Sequence, residues 1–131
     1  MKIIFKPGDI KSFSKEVLPT DTATFDAGQV HPVYATFALG RDAEWACRLF
    51  VIDMKDEDEE GIGTFLHIEH KSPASIGSVV QFTATLNEQN KNEVICNFEA
   101  KVNDRVIATG KTGQKILKKE KLNQIINSSK I

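Results

Sequence analysis

The sequence predicts an α+β fold, one long helix followed by an antiparallel sheet, and three observations predict it. Pro32 to Asp53 is the one long stretch with apolar residues at helical spacing. From Gly61 onward the apolar period falls from about 3.6 residues to about 2. The alternating runs are joined by short segments of Gly, Pro, Asn and Asp, which suit hairpins rather than long crossovers. The chain of 131 residues fits a single domain, 1–131, large enough to bury one continuous core.

The elements follow in order. Ile10 to Val17 reads as an extended segment that joins the sheet at an edge. Pro32 suits a first helical turn, so Val30 or His31 ends the preceding extended chain and the helix runs to Asp53. At about 100° per residue, Leu39, Gly40, Ala43, Ala46, Cys47 and Phe50 gather on one side of this helix. Arg41, Asp42 and Arg48 fall on the other. The small residues in the buried stripe permit the close approach of a sheet wrapped around the helix.

The acidic run Lys55-Asp-Glu-Asp-Glu-Glu60 lacks the alternating ligands and central glycine of a calcium loop and reads as solvated. Thr64, Leu66, Ile68 and His70 share one face of the next strand, and Val80, Phe82, Ala84 and Leu86 one face of its successor. A third strand sets Val94, Cys96, Phe98, Ala100 and Val102 against a polar face. Asn103-Asp104 turns the chain into a last strand, Arg105 to Leu117, and the tail from Lys118 forms a short helix or frays. Phe65, Val79, Ile95 and Ile107 are left on the outward face of the sheet. Loops or a second subunit must cover them, so a homodimer is expected.

Composition excludes several classes of function. With 17 basic and 18 acidic side chains there is no overall field to hold a nucleic acid or an anionic membrane. No apolar run approaches the roughly 20 residues of a membrane span. The opening Met1-Lys-Ile-Ile-Phe-Lys-Pro-Gly8 also falls short of the apolar core of a secretory signal, so a cytoplasmic location is expected. Cys47 and Cys96 lie in apolar periodic segments and read as small buried hydrophobes, and three scattered histidines offer no zinc spacing. No metal or other cofactor is expected. Gly110-Lys-Thr112 lacks the leading glycine of a phosphate loop, since Arg105 stands in its place, and no Gly-x-Ser-x-Gly elbow occurs.

Four local motifs, in order and at matching separations between Val30 and Leu117, resemble the hotdog-fold thioesterases, within them the fluoroacetyl-coenzyme A thioesterase group. The segment Val30-His-Pro-Val-Tyr-Ala-Thr36 is similar to that family's opening, in which an Ala-Thr pair enters the active site at a helix N-terminus. Glu44 within Ala43-Glu-Trp-Ala-Cys47 resembles its Glu-centred helix segment. Gly63-Thr-Phe-Leu-His-Ile-Glu-His70 resembles its Gly-Thr strand ending in a histidine, and Ser72-Pro-Ala-Ser-Ile-Gly77 its turn into the next strand. The resemblance implies a hotdog fold, an antiparallel sheet wrapped around one long central helix, and hydrolysis of a small or medium acyl-coenzyme A. It carries over Thr36, Glu44 and His70 as catalytic residues and Gly63 as a backbone contact to substrate. His67 replaces the family's usual asparagine, and Gly110-Lys-Thr-Gly-Gln-Lys115 lacks a His and an Arg often found there.

Thioester hydrolysis needs an activated water or a nucleophilic carboxylate, donors for the oxyanion and a proton for the leaving thiolate. Glu44, about 80° from Thr36 on the helical wheel, sits at the margin of the buried stripe and is suited to the first task. Whether it attacks or activates water stays open, and its bland alternative is an ion pair with Arg41 or Arg48. Thr36 lies near the helix N-terminus, where negative charge is favoured. His70, on the inward face with Leu66 and Ile68, is assigned the acid/base or orienting role in preference to His67, against the alternative of a hydrogen-bonded core histidine. Two other readings use the same fold. Asp26 and His31 stand five apart, as in hotdog enoyl-coenzyme A hydratases, and a binding module would retain acyl-coenzyme A without turnover.

Overall fold

A computed structural model describes residues 1–25 and 28–130. Strand β1 (Ile10–Glu16) is followed by a short 3-10 turn at Pro19–Asp21 and a two-stranded ribbon, β2 (Thr22–Phe25) with β3 (Gly28–Tyr34). Helix α1 (Thr36–Met54) leads into β4 (Glu59–His70), β5 (Val79–Asn90), β6 (Glu93–Val102) and β7 (Arg105–Lys118). A ten-residue helix, α2 (Lys119–Ser128), ends the described chain.

Five strands form one antiparallel sheet in the order β1-β5-β6-β7-β4, with β1 and β4 at its edges. Helix α1 packs against all five. The alternation read from the sequence decides which face the helix covers: Val80, Phe82, Ala84 and Leu86 of β5 and Val94, Cys96, Phe98 and Ala100 of β6 are all buried. They meet Leu39, Ala43, Ala46, Cys47, Phe50 and Met54 of the helix. At Gly40 the helix comes close to β4, since a Cβ there would lie 2.7 Å from Ile68 Cδ1. Each buried Leu or Phe contributes roughly 1.5–3 kcal/mol by leaving water, so this seam dominates the stability of the fold.

The structure corrects four expectations. Pro32 does not open the helix: β3 runs through it to Tyr34, and α1 begins at Thr36 after an extended Ala35. Proline is tolerated because Pro32 falls in the irregularity between the Thr22–Tyr34 and Ala23–His31 pairs of the ribbon, where it has no ladder partner to lose. Thr64 does not share the face of Leu66 and Ile68. A bulge between Gly63 and Phe65 in the β4–β7 pairing turns Gly63 toward the helix and brings Thr64 Oγ1 and the Phe65 ring over Gly113. Ile107 is not outward; an irregularity between Ala100 and Lys101 reverses the parity at the start of β7 and buries it in the core. The acidic run is only partly solvated. The amino group of Met1 binds Asp56 and, at 2.7 Å, Glu59, while Glu60 takes Arg48 at 2.6 Å.

Among the described residues no helix is long and apolar enough to cross a membrane.

Candidate active site

Thr36 is the first residue of α1, and its Oγ1 lies 2.9 Å from Nδ1 of His70, the last residue of β4. These two residues, 34 apart in sequence, meet because α1 runs back along the inner face of β4. The other ring nitrogen, His70 Nε2, is buried with no hydrogen-bond partner among the described residues. A buried nitrogen left unpaired costs stability.

Glu44 is two helical turns further on, about 12 Å along the axis. Its carboxylate lies against Gly63: a Cβ on Gly63 would come within 2.5 Å of Glu44 Oε1. The two residues line a hollow of about 240 Å³ with Thr64, Phe65 and Leu66. The ion pair weighed for Glu44 does not form. Arg41 is taken by Asp21 and Asp42, and Arg48 by Glu60 and the carbonyl of Gly61. Glu44 therefore remains half-buried without a hydrogen bond or ion pair among the described residues. Both of its oxygens are therefore open to an incoming group.

One chain thus brings Thr36 to His70 and Glu44 to Gly63 but does not bring the two pairs together. A second hollow of about 240 Å³, lined by His70, Lys71, Ser72 and Pro73, opens at the histidine end. A larger one of about 590 Å³ lies on the outer face of the sheet, where His67, Glu69, Asn97 and Lys111 are among its walls, and it holds none of the three. His67 accordingly faces away from the helix. His31 is exposed on the ribbon, paired with Ala23, and Asp26 lies outside the described residues.

Sequence reasoning missed a buried polar cluster behind Thr36. Asp21, 2% exposed, accepts from Lys15 and Arg41, both at 2.9 Å, and from the Leu18 amide. Burial would push its carboxyl up, but these partners hold it at about 2. Asp42, placed on the polar side of the helical wheel, is buried and accepts from the Tyr34 hydroxyl. No local spacing signals this cluster, because its members come from four separate elements, β1, the 3-10 turn, β3 and α1.

Residues 17–120 match the family described as fluoroacetyl-CoA-specific thioesterase, FlK. The chain belongs to that family. It is a thioester hydrolase with a hotdog fold. A Thermus thermophilus protein described as a thioesterase superfamily member is 32% identical, with 94% of this chain and 91% of that one covered and a TM-score of 0.89. The fluoroacetyl-CoA thioesterase FlK superposes with a TM-score of 0.88 at 20% identity over 97% and 98% of the two chains. A hot-dog-like protein of Thermanaerovibrio acidaminovorans gives 0.86 at 20% identity over 95% and 92%. No curated protein matches the sequence.

Proposed function

We propose that this protein hydrolyses a small or medium acyl-coenzyme A as a cytoplasmic homodimer, with Thr36, Glu44 and His70 at the active site and Gly63 against the substrate. The observation that carries the reading is the unpaired Glu44 carboxylate held against Gly63, on the same helix–strand seam as the Thr36–His70 pair. Single-substitution variants of FlK have been captured with acetyl-CoA and with fluoroacetate and CoA, which favours a coenzyme A ester as the substrate class here.

Hydrolysis adds water across the thioester carbonyl and expels the thiolate. Glu44 either takes the proton of the attacking water or adds to the carbonyl itself, giving an anhydride that water then opens. Charge that develops on the carbonyl oxygen is favoured beside the first turn of α1, where backbone N–H groups and the helix dipole point outward. When Thr36 donates to Nδ1, the His70 Nε2–H is left to donate a hydrogen bond to the reacting thioester, and the proton that leaves the attacking water through Glu44 is the one that ends on the departing sulfur.

The two pairs complete one site only across two copies. β4 is a 12-residue edge strand, paired with β7 on one side and with no described strand on the other, and Ile62, Phe65 and Leu66 are exposed along it. Antiparallel pairing of β4 with its copy, centred near His67, sets Gly63 of one subunit opposite His70 of the other. Each of the two sites then draws Glu44 from one chain and the Thr36–His70 pair from its partner.

The test is release of free thiol from acyl-coenzyme A esters running from acetyl to palmitoyl, with wild type, Glu44→Gln and His70→Ala. Turnover of short or medium esters that drops by about 10²-fold or more in both folded variants supports the assignment. Absence of turnover on every ester overturns it.

A further inference from the structure

We propose that Asp21, Arg41, Asp42 and Tyr34 form a positioning unit that holds the first turn of α1, and with it Thr36, in register with His70. The proposal rests on the catalytic reading of Thr36 and His70 given above. It starts from an absence at the head of the helix. The N-cap residue is Ala35, which provides no side-chain cap, and the one hydroxyl nearby, that of Thr36, is bound to His70. A helix start usually relies on a Ser, Thr, Asp or Asn at that place to fix its first turn. Here the turn is fixed from outside.

The fixing groups close a ring around Thr36. The Asp21 carbonyl accepts from the Ala35 amide at 2.9 Å, and the Asp21 carboxylate accepts from Arg41 at 2.9 Å. Arg41 in turn donates twice to Asp42, both at 3.0 Å, and Asp42 accepts from the Tyr34 hydroxyl. Tyr34 is tied from its other side, its amide donating to the Ala74 carbonyl at 2.8 Å. The chain from Tyr34 to Asp42 is thus clamped at both ends, and Thr36 lies between the clamps. Tyr34, Asp21 and Asp42 are 1%, 2% and 8% exposed, so water does not readily replace the Tyr34–Asp42 bond, while Arg41 closes the ring with a side chain that is itself 58% exposed.

The ring also has reach. Asp21 ends the turn that leads into the β2–β3 ribbon, so the base of the ribbon and the start of α1 share one carboxylate. The Arg41 fork is two-pronged and planar, which sets an angle as well as a distance. Loss of one hydroxyl from the ring leaves the core packing intact and releases the turn, so Thr36 can drift from His70 without unfolding.

Tyr34→Phe tests this, since it keeps the ring and removes only the donor to Asp42. Three measurements are made: steady-state kinetics on the preferred acyl-coenzyme A, the same substitution in a Thr36→Ala background, and ¹⁵N NMR of the His70 ring in the free protein. The expected result is a fall in kcat of about 10-fold with KM within about twofold. No further loss is expected once Thr36 is absent, and the His70 nitrogens shift toward a mixture of tautomers. A second variant, Arg41→Lys, keeps the charge but not the fork and is expected to move all three readouts the same way. A lower melting temperature with unchanged kcat, an equal loss in the Thr36→Ala background, or unmoved His70 signals overturns the proposal. If wild type turns over no thioester, the catalytic reading has failed, and the NMR comparison still decides whether the ring positions His70's partner.

Discussion

Glu44 and Gly63 make a case in which a residue without a side chain governs one that has a charge. The space a Cβ would occupy on Gly63 is filled by Glu44 Oε1, the far end of a flexible side chain. Gly63→Ala is therefore expected to leave the fold standing and to push the carboxylate aside by an ångström or more. Displacement on that scale costs about 10²-fold in rate, so kcat should fall steeply while the melting temperature changes by only a few degrees. Thiol-release kinetics beside a thermal melt separates the two effects. At Asp21 the expected effect runs on stability instead. Burial opposes ionisation there, yet Arg41, Lys15 and the Leu18 amide lower the carboxyl from 3.8 to about 2. A depressed carboxyl contributes stability that is fully present above about pH 4 and is lost as the pH falls toward 2. The difference in unfolding free energy between wild type and Asp21→Asn, about 2 kcal/mol near neutrality, should shrink across that window in denaturant titrations. A gap that stays constant with pH would show that the ion pairs at Asp21 contribute nothing.

At the scale of elements, the seam between α1 and the sheet bears most of the stability, and Phe50 is its centre. The ring is fully buried, with Phe5 edge-on at 5.1 Å. Phe50→Ala should cost about 3–5 kcal/mol, a large part of what a domain of this size has to spare, and equilibrium unfolding in urea measures it. This seam was legible in advance because β5 and β6 each bury one face only, so period-2 alternation survives in their sequences and the inward residues can be counted off. It failed where the strands are irregular. Thr64 and Ile107 were placed on the wrong faces because a bulge adds a residue without leaving any mark in the apolar pattern. The start of α1 failed for a different reason: a proline suits a first helical turn and an edge strand equally well, and only the pairing of β3 with β2 decides between them. Thr36 and His70 were named from the resemblance, and the period-2 reading only aimed His70 at the helix; the hydrogen bond between them is a contact the folded chain adds. The Asp21 cluster was not legible, since its bonds join residues far apart in the chain, such as Asp21 and Arg41, through contacts that only the folded chain creates.

For the whole molecule, the separation between the Thr36–His70 pair and Glu44 makes subunit arrangement a catalytic question. If each site is shared across β4, then Glu44→Gln and His70→Ala damage different halves of it. Mixing the two inactive variants as unfolded chains and refolding them together should produce heterodimers in about half of the dimers. In each heterodimer one site unites the intact Glu44 of one chain with the intact His70 of the other, while the second site carries both lesions. Activity should recover to about a quarter of wild type, since half of the dimers then hold one working site of two. Sites built within single chains would recover nothing, because every chain in the mixture carries a lesion of its own. The same mixture followed by light scattering fixes the assembly independently of turnover: a monomer at micromolar concentration with no regained activity would remove the β4 pairing, whereas a dimer with no regained activity would keep the pairing and place the reacting groups elsewhere along it.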